Sequence, residues 1–327
     1  MSKLVTIFGG SGFVGRYIAR RMAKEGWRVR VAVRRPNEAM HVKPYGVVGQ
    51  VEPVFCNIRD DASVAAVMSG ADAVVNCVGV LNEVGKNSFS AVHADGAGRI
   101  ARIAALSGIQ NMVHVSSIGA SADAPSAYSR TKADGEAQVL EHMPDAVILR
   151  PSIIFGVEDQ FFNRFAAMTR FGPVLAIAGG HTRFQPVYVD DVARAAVKAV
   201  LGEASPGIYE LGGPEIKDFE SLMHQMLEII HRRRLVLSLP NFAAALVAGA
   251  MDLVQFASFG LINNGVLTRD QLRSLSSDNV VSDDSMGFAD LGIEPTTLAA
   301  VLPDYLWKFR PSGQYDAIKD SARNLRS

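Results

Sequence analysis

Phe8-Gly9-Gly10-Ser11-Gly12-Phe13-Val14-Gly15 joins an apolar, β-branched run, Lys3 to Phe8, to a run with helical periodicity, Phe13 to Glu25. The order of strand, glycine turn and helix gives three of these glycines separate physical tasks. Gly9 permits a tight turn, Gly12 lets backbone approach a pyrophosphate, and Gly15 lets the helix pack closely on the sheet. The helix N-terminus, with Phe13 and Val14 in its first turn, adds free N–H groups and the positive end of a dipole. The spacing is G-x-x-G-x-x-G, not G-x-G-x-x-G, and spaced glycines alone also suit a merely close-packed turn. Their place between a strand and a helix makes a dinucleotide cradle the stronger reading.

Outward from this turn, apolar strand-like runs recur at Arg28–Val33, Val51–Phe55, Ala73–Val78, Met112–Val115 and Ala146–Leu149. Helical patterns separate them, notably Ala62–Met68, Phe89–Leu106 and Ala127–Glu141. Strands alternating with helices predict an α/β fold, a doubly wound parallel sheet with its ligand at the carboxyl ends of the strands. The runs are nearly all apolar rather than alternating, as expected of strands covered on both faces. After Arg150 the texture changes. Six prolines from Pro151 to Pro240 interrupt the chain, and helices fit Gln160–Arg170, Val189–Leu201 and Phe219–Arg232. The division expected is a nucleotide-binding domain over 1–155, completed by part of 184–212. A smaller C-terminal mixed α/β region takes 156–183 and 213–327.

The chain has 327 residues, 48% hydrophobic and 20% charged, with a formal net charge of zero. That length accommodates a large domain and a smaller one, and the neutral balance gives no reason to expect a nucleic-acid partner. The charge is uneven: residues 1–35 hold nine Lys/Arg and one acid, Glu25. Arg16, Arg20, Arg21 and Lys24 read as a solvated helix face. Cys56 and Cys77 read as buried small hydrophobes of a reducing compartment. The scattered histidines and two cysteines show no metal-ligand spacing, so no metal is expected. The first strand begins almost at once, leaving no room for a presequence in this chain. Residues 242–262 hold one charge, Asp252. They suit a buried helix, or a helix whose apolar face meets a membrane surface or a partner; a mid-bilayer carboxylate argues against a membrane span. The tail from Trp307, with Lys308, Arg310, Lys319, Arg323 and Arg326, suits a frayed terminus or a clamp on an acidic partner or anionic lipid.

The strand ends carry the chemistry. The second strand runs into Arg34-Arg35, where an acid would bind an NAD ribose hydroxyl and an arginine favours the 2′-phosphate of NADP. Arg34 is the better placed, and Arg35 can stack on the adenine or share the phosphate. Asn57 and Ile58, after the third strand, suit the adenine amine and ring. Cys77, Val78 and Gly79 follow the fourth strand, where glycine lets backbone approach the ribose and nicotinamide. Val115, Ser116 and Ser117 end the fifth. Tyr128-Ser129-Arg130-Thr131-Lys132 is Y-x-x-x-K, which on a helix turns Tyr128 and Lys132 to one face. An ammonium beside a phenol lowers the phenol's pKa and holds ribose hydroxyls, so Tyr128 can serve as acid or base while a strand-end serine such as Ser117 orients a carbonyl.

With these residues the chain resembles an extended or atypical member of the short-chain dehydrogenase/reductase superfamily. Leu149-Arg150-Pro151-Ser152-Ile153-Ile154-Phe155-Gly156 is similar to that family's R-P-x-x-x-[YF]-G segment, which implies that Pro151, Ile153 and Ile154 lie against the nicotinamide. Val187-Tyr188-Val189-Asp190-Asp191-Val192-Ala193 is similar to its [IV]-x-V-x-D-V-A helix start. More discriminating strings, Glu158-Asp159-Gln160-Phe161-Phe162-Asn163 and Ser277-Asp278-Asn279-Val280-Val281, resemble the nucleotide-binding accessory subunits of respiratory complex I. So do Tyr128–Glu136, Leu267–Gln271 and Leu291–Pro295. That resemblance implies an accessory, assembly-stabilising subunit with a tightly bound NADPH that need not turn over. Tyr128, Lys132 and Ser117 would then be a vestigial catalytic set. It implies the other complex I subunits as partners, lipid contact through 242–262, and a place on the cytoplasmic face of a bacterial inner membrane, or the matrix side for a processed mitochondrial chain. The superfamily resemblance alone leaves open a free NADPH-dependent reductase, dehydratase or epimerase, or a redox-sensing regulator.

Overall fold

The computed structural model describes residues 2–239, 269–313 and 315. The apolar stretch 242–262, Leu267, Thr268 and the tail from 316 lie outside the described residues. No helix among the described residues is long and apolar enough to cross a membrane. The strands, in chain order, are β1 Leu4–Phe8, β2 Arg28–Val33, β3 Val51–Phe55, β4 Ala73–Asn76, β5 Asn111–Val115, β6 Val147–Pro151 and β7 Ile154–Phe155. They continue with β8 Val174–Ala178, β9 Arg183–Phe184, β10 Val187–Tyr188, β11 Gly207–Leu211, β12 Lys217–Asp218 and β13 Leu235–Leu239. The helices used below are α1 Phe13–Lys24, α2 Asp61–Met68, α3 Asp95–Leu106, α4 Ala127–His142, α5 Phe162–Met168, α6 Val189–Leu201 and α7 Phe219–Ile229.

The chain divides into two compact units, the first being residues 1–152, 189–212 and 281–295. Its seven strands pair in the order β11-β6-β5-β4-β1-β2-β3, all parallel, so the expected doubly wound sheet is present. Every residue of β1 is buried, which accounts for its lack of alternation. One core joins Phe8, Val74 and Met112 of the sheet to Val64, Ile100 and Val139 of α2, α3 and α4. The strand order reverses at β1 and β4, which places the ligand crevice of such a sheet at their carboxyl ends.

Several details depart from the sequence expectations. The fourth strand stops at Asn76, because the Asn76 side chain accepts the Val78 N–H and draws the backbone out of the ladder (3.1 Å). The helix expected over 89–106 begins as a π-turn, Ser90–Ala94, before α3. Pro36–Tyr45 is a 3₁₀ run that no periodicity signalled. On α1, Arg21 is not solvated: it donates Nε to Asp190 Oδ1 of α6 at 2.7 Å, with both side chains only a third exposed. Residues 281–295 belong with the sheet, not with the smaller region. The Glu210 N–H donates to the Met286 carbonyl, and the Glu210 carboxylate accepts the Ser282 N–H.

The second unit comprises residues 153–188, 213–280 and 296–327. Its described core is built on Phe155, Phe162, Phe184 and Phe219, with the helix Leu298–Leu306 contributing Leu302 and Tyr305. Three two-stranded ladders border it: β7–β10, β9–β12 and β8–β13. The discriminating strings are scaffold here. Asp159 is buried and accepts the N–H groups of Gly156, Phe161 and Asn163 together with the Tyr305 hydroxyl. Asn279 accepts the Ile153 N–H on its side chain, and Asp278 pairs with Arg183 at 2.7 Å.

Candidate nucleotide site

The glycine turn is shaped by close approach. Gly9 has φ +72°, and a Cβ there would stand 3.1 Å from the Cys77 carbonyl oxygen, so β1 and β4 meet backbone to backbone. A Cβ on Gly15 would lie 2.4 Å from the Gly9 carbonyl oxygen. Only glycine lets the first turn of α1 sit on the loop. Gly12 is the N-cap, with no side chain to satisfy the N–H groups that follow it and no acid in the first turn. Those N–H groups and the helix dipole would suit an anion. Arg16 closes the turn by donating to the Ser11 and Gly12 carbonyls.

At the second strand's tip, Arg35 pairs with Glu38 at 3.0 Å, while Arg34 is exposed and makes no ion pair among the described residues. Asn57 caps its own loop, accepting the Arg59 N–H at 3.2 Å. Ile58 packs over Gly96, where a Cβ would come within 2.9 Å of its Cδ1.

The ends of β4 and β5 meet α4. Lys132 is buried and donates its ammonium to the Val115 carbonyl at 3.2 Å, with Nζ 6.0 Å from the Tyr128 ring centre. The Gly79 α-carbon faces the same ammonium. Tyr128 and Lys132 thus share a face, as their spacing requires. Ser126 caps α4 by accepting the Ser129 N–H at 3.1 Å, which fixes the turn that carries Tyr128. The Ser116 and Ser117 hydroxyl oxygens and His114 Nε2 are buried and unpartnered. Buried polar groups are ordinarily satisfied, so three such atoms on β5 and just beyond its carboxyl end fit a polar ligand. Ile153 and Ile154 belong to the second unit, and Pro151 ends β6.

Sequence reasoning missed the groups that hold these side chains. His93 Nε2 accepts the Val80 N–H at 3.0 Å, so Nδ1 carries the proton and faces Thr131 Oγ1 at 3.2 Å. Thr131 in turn donates to the Tyr128 carbonyl. His93 lies edge-on to the Tyr128 ring and stacks on Phe89. His114 Nδ1 accepts from Asn76 Nδ2 at 3.1 Å, which leaves its unpartnered Nε2 as the donor. Gly135 lets α4 cross the π-turn, since a Cβ there would lie 2.0 Å from the His93 carbonyl oxygen. Below Lys132, Glu136 grips Arg150 of β6 in a buried bidentate pair at 2.6 and 2.9 Å. The signal available was a glycine and an acid one turn beyond Lys132.

Burial, and then the Lys132 charge, pushes His93 and His114 down to about 3, so both rings are neutral at neutral pH. An unfolded histidine titrates near 6.5, so this stability is complete above that pH and is lost as pH falls from 6.5 toward 3. Thermal melts should therefore fall steeply below about pH 6, each ring contributing about 1.4 kcal/mol per pH unit. His114→Gln, which cannot titrate, should flatten part of that fall; an unchanged profile would contradict it. Burial also raises the Cys56 thiol to about 11 and the Cys77 thiol to about 12, so neither is a reactive thiolate.

The model of the NAD dependent epimerase/dehydratase family matches residues 5–212, the span that holds the glycine turn, Tyr128 and Lys132. The chain belongs to this family. Among its relatives, subunit 9 of the NADH dehydrogenase (ubiquinone) 1 alpha subcomplex from Arabidopsis thaliana mitochondria is 35% identical, covering 95% of this chain and 79% of that one. The complex I subunits are thus family relatives across nearly the whole chain. A ceramide reductase of Caulobacter vibrioides is 29% identical over 81% of this chain and 77% of its own. The Bordetella bronchiseptica enzyme WbmH, solved with NAD+, has the same fold at a TM-score of 0.69, 18% identity, and 96% and 100% coverage. Nicotinamide dinucleotide is therefore the cofactor class of the family.

Proposed function

We propose that this chain is an accessory, assembly-stabilising subunit of respiratory complex I, carrying NADPH as a structural element. The observation that carries this reading is the identity to the plant subunit along 95% of the chain, beyond the 5–212 span shared with the wider family. The geometry supports the nucleotide part. Gly9, Gly12 and Gly15 with the first turn of α1 would hold the pyrophosphate, and the unpaired Arg34 the 2′-phosphate. Asn57 and Ile58 would border the adenine, and Tyr128 and Lys132 the ribose. A bound nicotinamide supplies hydride chemistry; the residues here bind and orient it. A ligand held only by the native state stabilises it by mass action, so a resident nucleotide can rigidify the first unit without turning over. The partners are the other complex I subunits. The setting is the cytoplasmic face of a bacterial inner membrane, or the matrix side for a mitochondrial chain, with 242–262 as a further lipid contact.

The test is to purify the chain from its host without added nucleotide, denature it, and identify what it releases. About one NADPH or NADP per chain is expected. Release of NADH, or of no nucleotide, would contradict the proposal.

A second reading is favoured by one observation: the Ser117 Oγ is buried and unpartnered, two residues beyond the Val115 carbonyl that Lys132 holds, in a chain related to a reductase. On that reading the protein is an NADPH-dependent reductase of a hydroxylated lipid or sugar nucleotide. Tyr128→Phe separates the two. It should leave partner association at the parent level on the first reading. On the second it should cut turnover about 10²–10⁴-fold, the usual worth of a general acid or base.

A further inference from the structure

Cations gather at one end of the second unit. Arg170 donates to the Lys308 carbonyl, Arg232 to the Phe309 carbonyl, Arg234 to the Thr169 carbonyl and Arg310 to the Ile229 carbonyl. Arg170 and Lys308 both stand over the Phe309 ring, at 5.1 and 5.2 Å. With Arg233 this makes six positive groups, and among the described residues none forms an ion pair with a carboxylate. Glu228 and Asp304, the acids on the adjoining helices, are exposed and pair with none of them. The charges oppose one another: burial and then Arg234 and Arg170 lower the Arg232 pKa. Binding the guanidinium groups through backbone carbonyls fixes their positions without neutralising them.

An apolar surface adjoins this cluster. β8 and β13 pair in parallel register, Val174 beside Leu235 and Ala176 beside Leu237. Leu175 and Val236 point inward at 2% and 9% exposure, so the alternate residues face out. Val174 is 46% exposed, Leu235 64%, Leu237 47%, and Phe171, next to Arg170, is 90% exposed. Single exposed apolar residues need no explanation, but three on one two-stranded face, with Phe171 just before it, beside six cations that pair with no carboxylate among the described residues, do.

We propose that the β8–β13 face and the cation cluster beside it form a docking surface for an anionic lipid bilayer. The charge complementarity selects the occupant. A nucleic acid or a wholly acidic segment satisfies the cations and leaves Phe171, Val174, Leu235 and Leu237 in water. A bilayer of anionic lipid takes both, with headgroups at the cations and the apolar side chains at the acyl boundary. This deepens the membrane setting of the complex I reading, and its failure is separable from that reading's, because lipid binding by the purified chain needs no other subunit.

The experiment is co-sedimentation of the full chain with vesicles of 30:70 phosphatidylserine and phosphatidylcholine, against pure phosphatidylcholine, at low and high salt. The parent should bind the anionic vesicles only, and high salt should weaken it. Arg233→Glu/Lys308→Glu changes two exposed side chains and should weaken binding about 100-fold or more, at about 5-fold per unit of charge. Phe171→Ser/Leu237→Ser, also at exposed positions, should weaken it about 10-fold or more. Melting curves at the parent temperature establish that both variants fold. Equal binding to neutral vesicles, no binding by the parent, or parent-level binding by either variant would overturn the proposal. So would full competition by polyglutamate with the serine variant unaffected, which would make this an acidic-protein surface.

Discussion

Gly135→Ala is expected to destabilise the first unit by about 3 kcal/mol or more, lowering its melting temperature by roughly 6–12 °C. The added Cβ would stand 2.0 Å from the His93 carbonyl oxygen and 3.0 Å from its carbon, both backbone atoms of the π-turn. Relief requires α4 to lift away from that turn. Tyr128 and Lys132 ride on α4, and the Glu136–Arg150 pair ties it to β6, so the same displacement should loosen nucleotide retention. Gly98→Ala is the matched comparison. Its Cβ would meet Gln138 Oε1 at 2.1 Å, the far end of a flexible side chain that can swing aside, and Gln138 Cβ at 3.0 Å, which needs a small shift and involves no backbone atom. That variant should lose less than about 1 kcal/mol. Equal losses for the two would show that the close crossing at Gly135 is not what holds α4 in place.

Gly12→Asp is expected to fold normally and to lose its nucleotide. Gly12 has φ −71°, a backbone conformation open to any residue, a Cβ there would stand 3.1 Å from the Gly9 carbonyl oxygen and needs only a small shift, and aspartate is a favoured N-cap. Its carboxylate would accept the first N–H groups of α1, occupying the donors meant for a pyrophosphate and setting a like charge against it. Juxtaposed like charges cost several kcal/mol, which corresponds to a loss of about 100-fold or more in nucleotide affinity. Because the cap is good, the free chain's melting temperature should hold, and only the increment contributed by bound nucleotide should disappear.

The inner strands of the sheet were readable from the sequence because they are covered on both faces. Leu4–Phe8 has no competing solvent face to blur its ends and falls where the structure has β1, while Val51–Phe55 falls on β3, an edge strand with Glu52 and Phe55 exposed. The glycine turn and Y-x-x-x-K were readable because each has a local geometry, a tight turn in one case and a helical face in the other. What escaped depends on chain crossings far apart in sequence. His93 reads as an ordinary helical histidine until Val80 and Thr131 are found at its two nitrogens. Gly135 looks like a weak spot in a helix until the His93 carbonyl is seen beneath it. Arg21 looks solvated because its partner, Asp190, lies 169 residues away. The two-residue strands β7, β9, β10 and β12 are too short for any periodicity to mark them. The Glu158–Asn163 string was legible as a signature of relatives, yet its work is structural: Asp159 gathers three N–H groups and a tyrosine hydroxyl.

The most direct test of the central claim is to tag the chain at low expression in its own host, extract membranes in mild detergent, and identify by mass spectrometry what migrates with it on a native gel. The proposal predicts co-migration with the NADH:quinone oxidoreductase subunits at about one copy per complex, and loss of that band for Gly12→Asp. A parent chain that runs alone as a soluble species, free of those subunits, would contradict it and leave the reductase reading in its place.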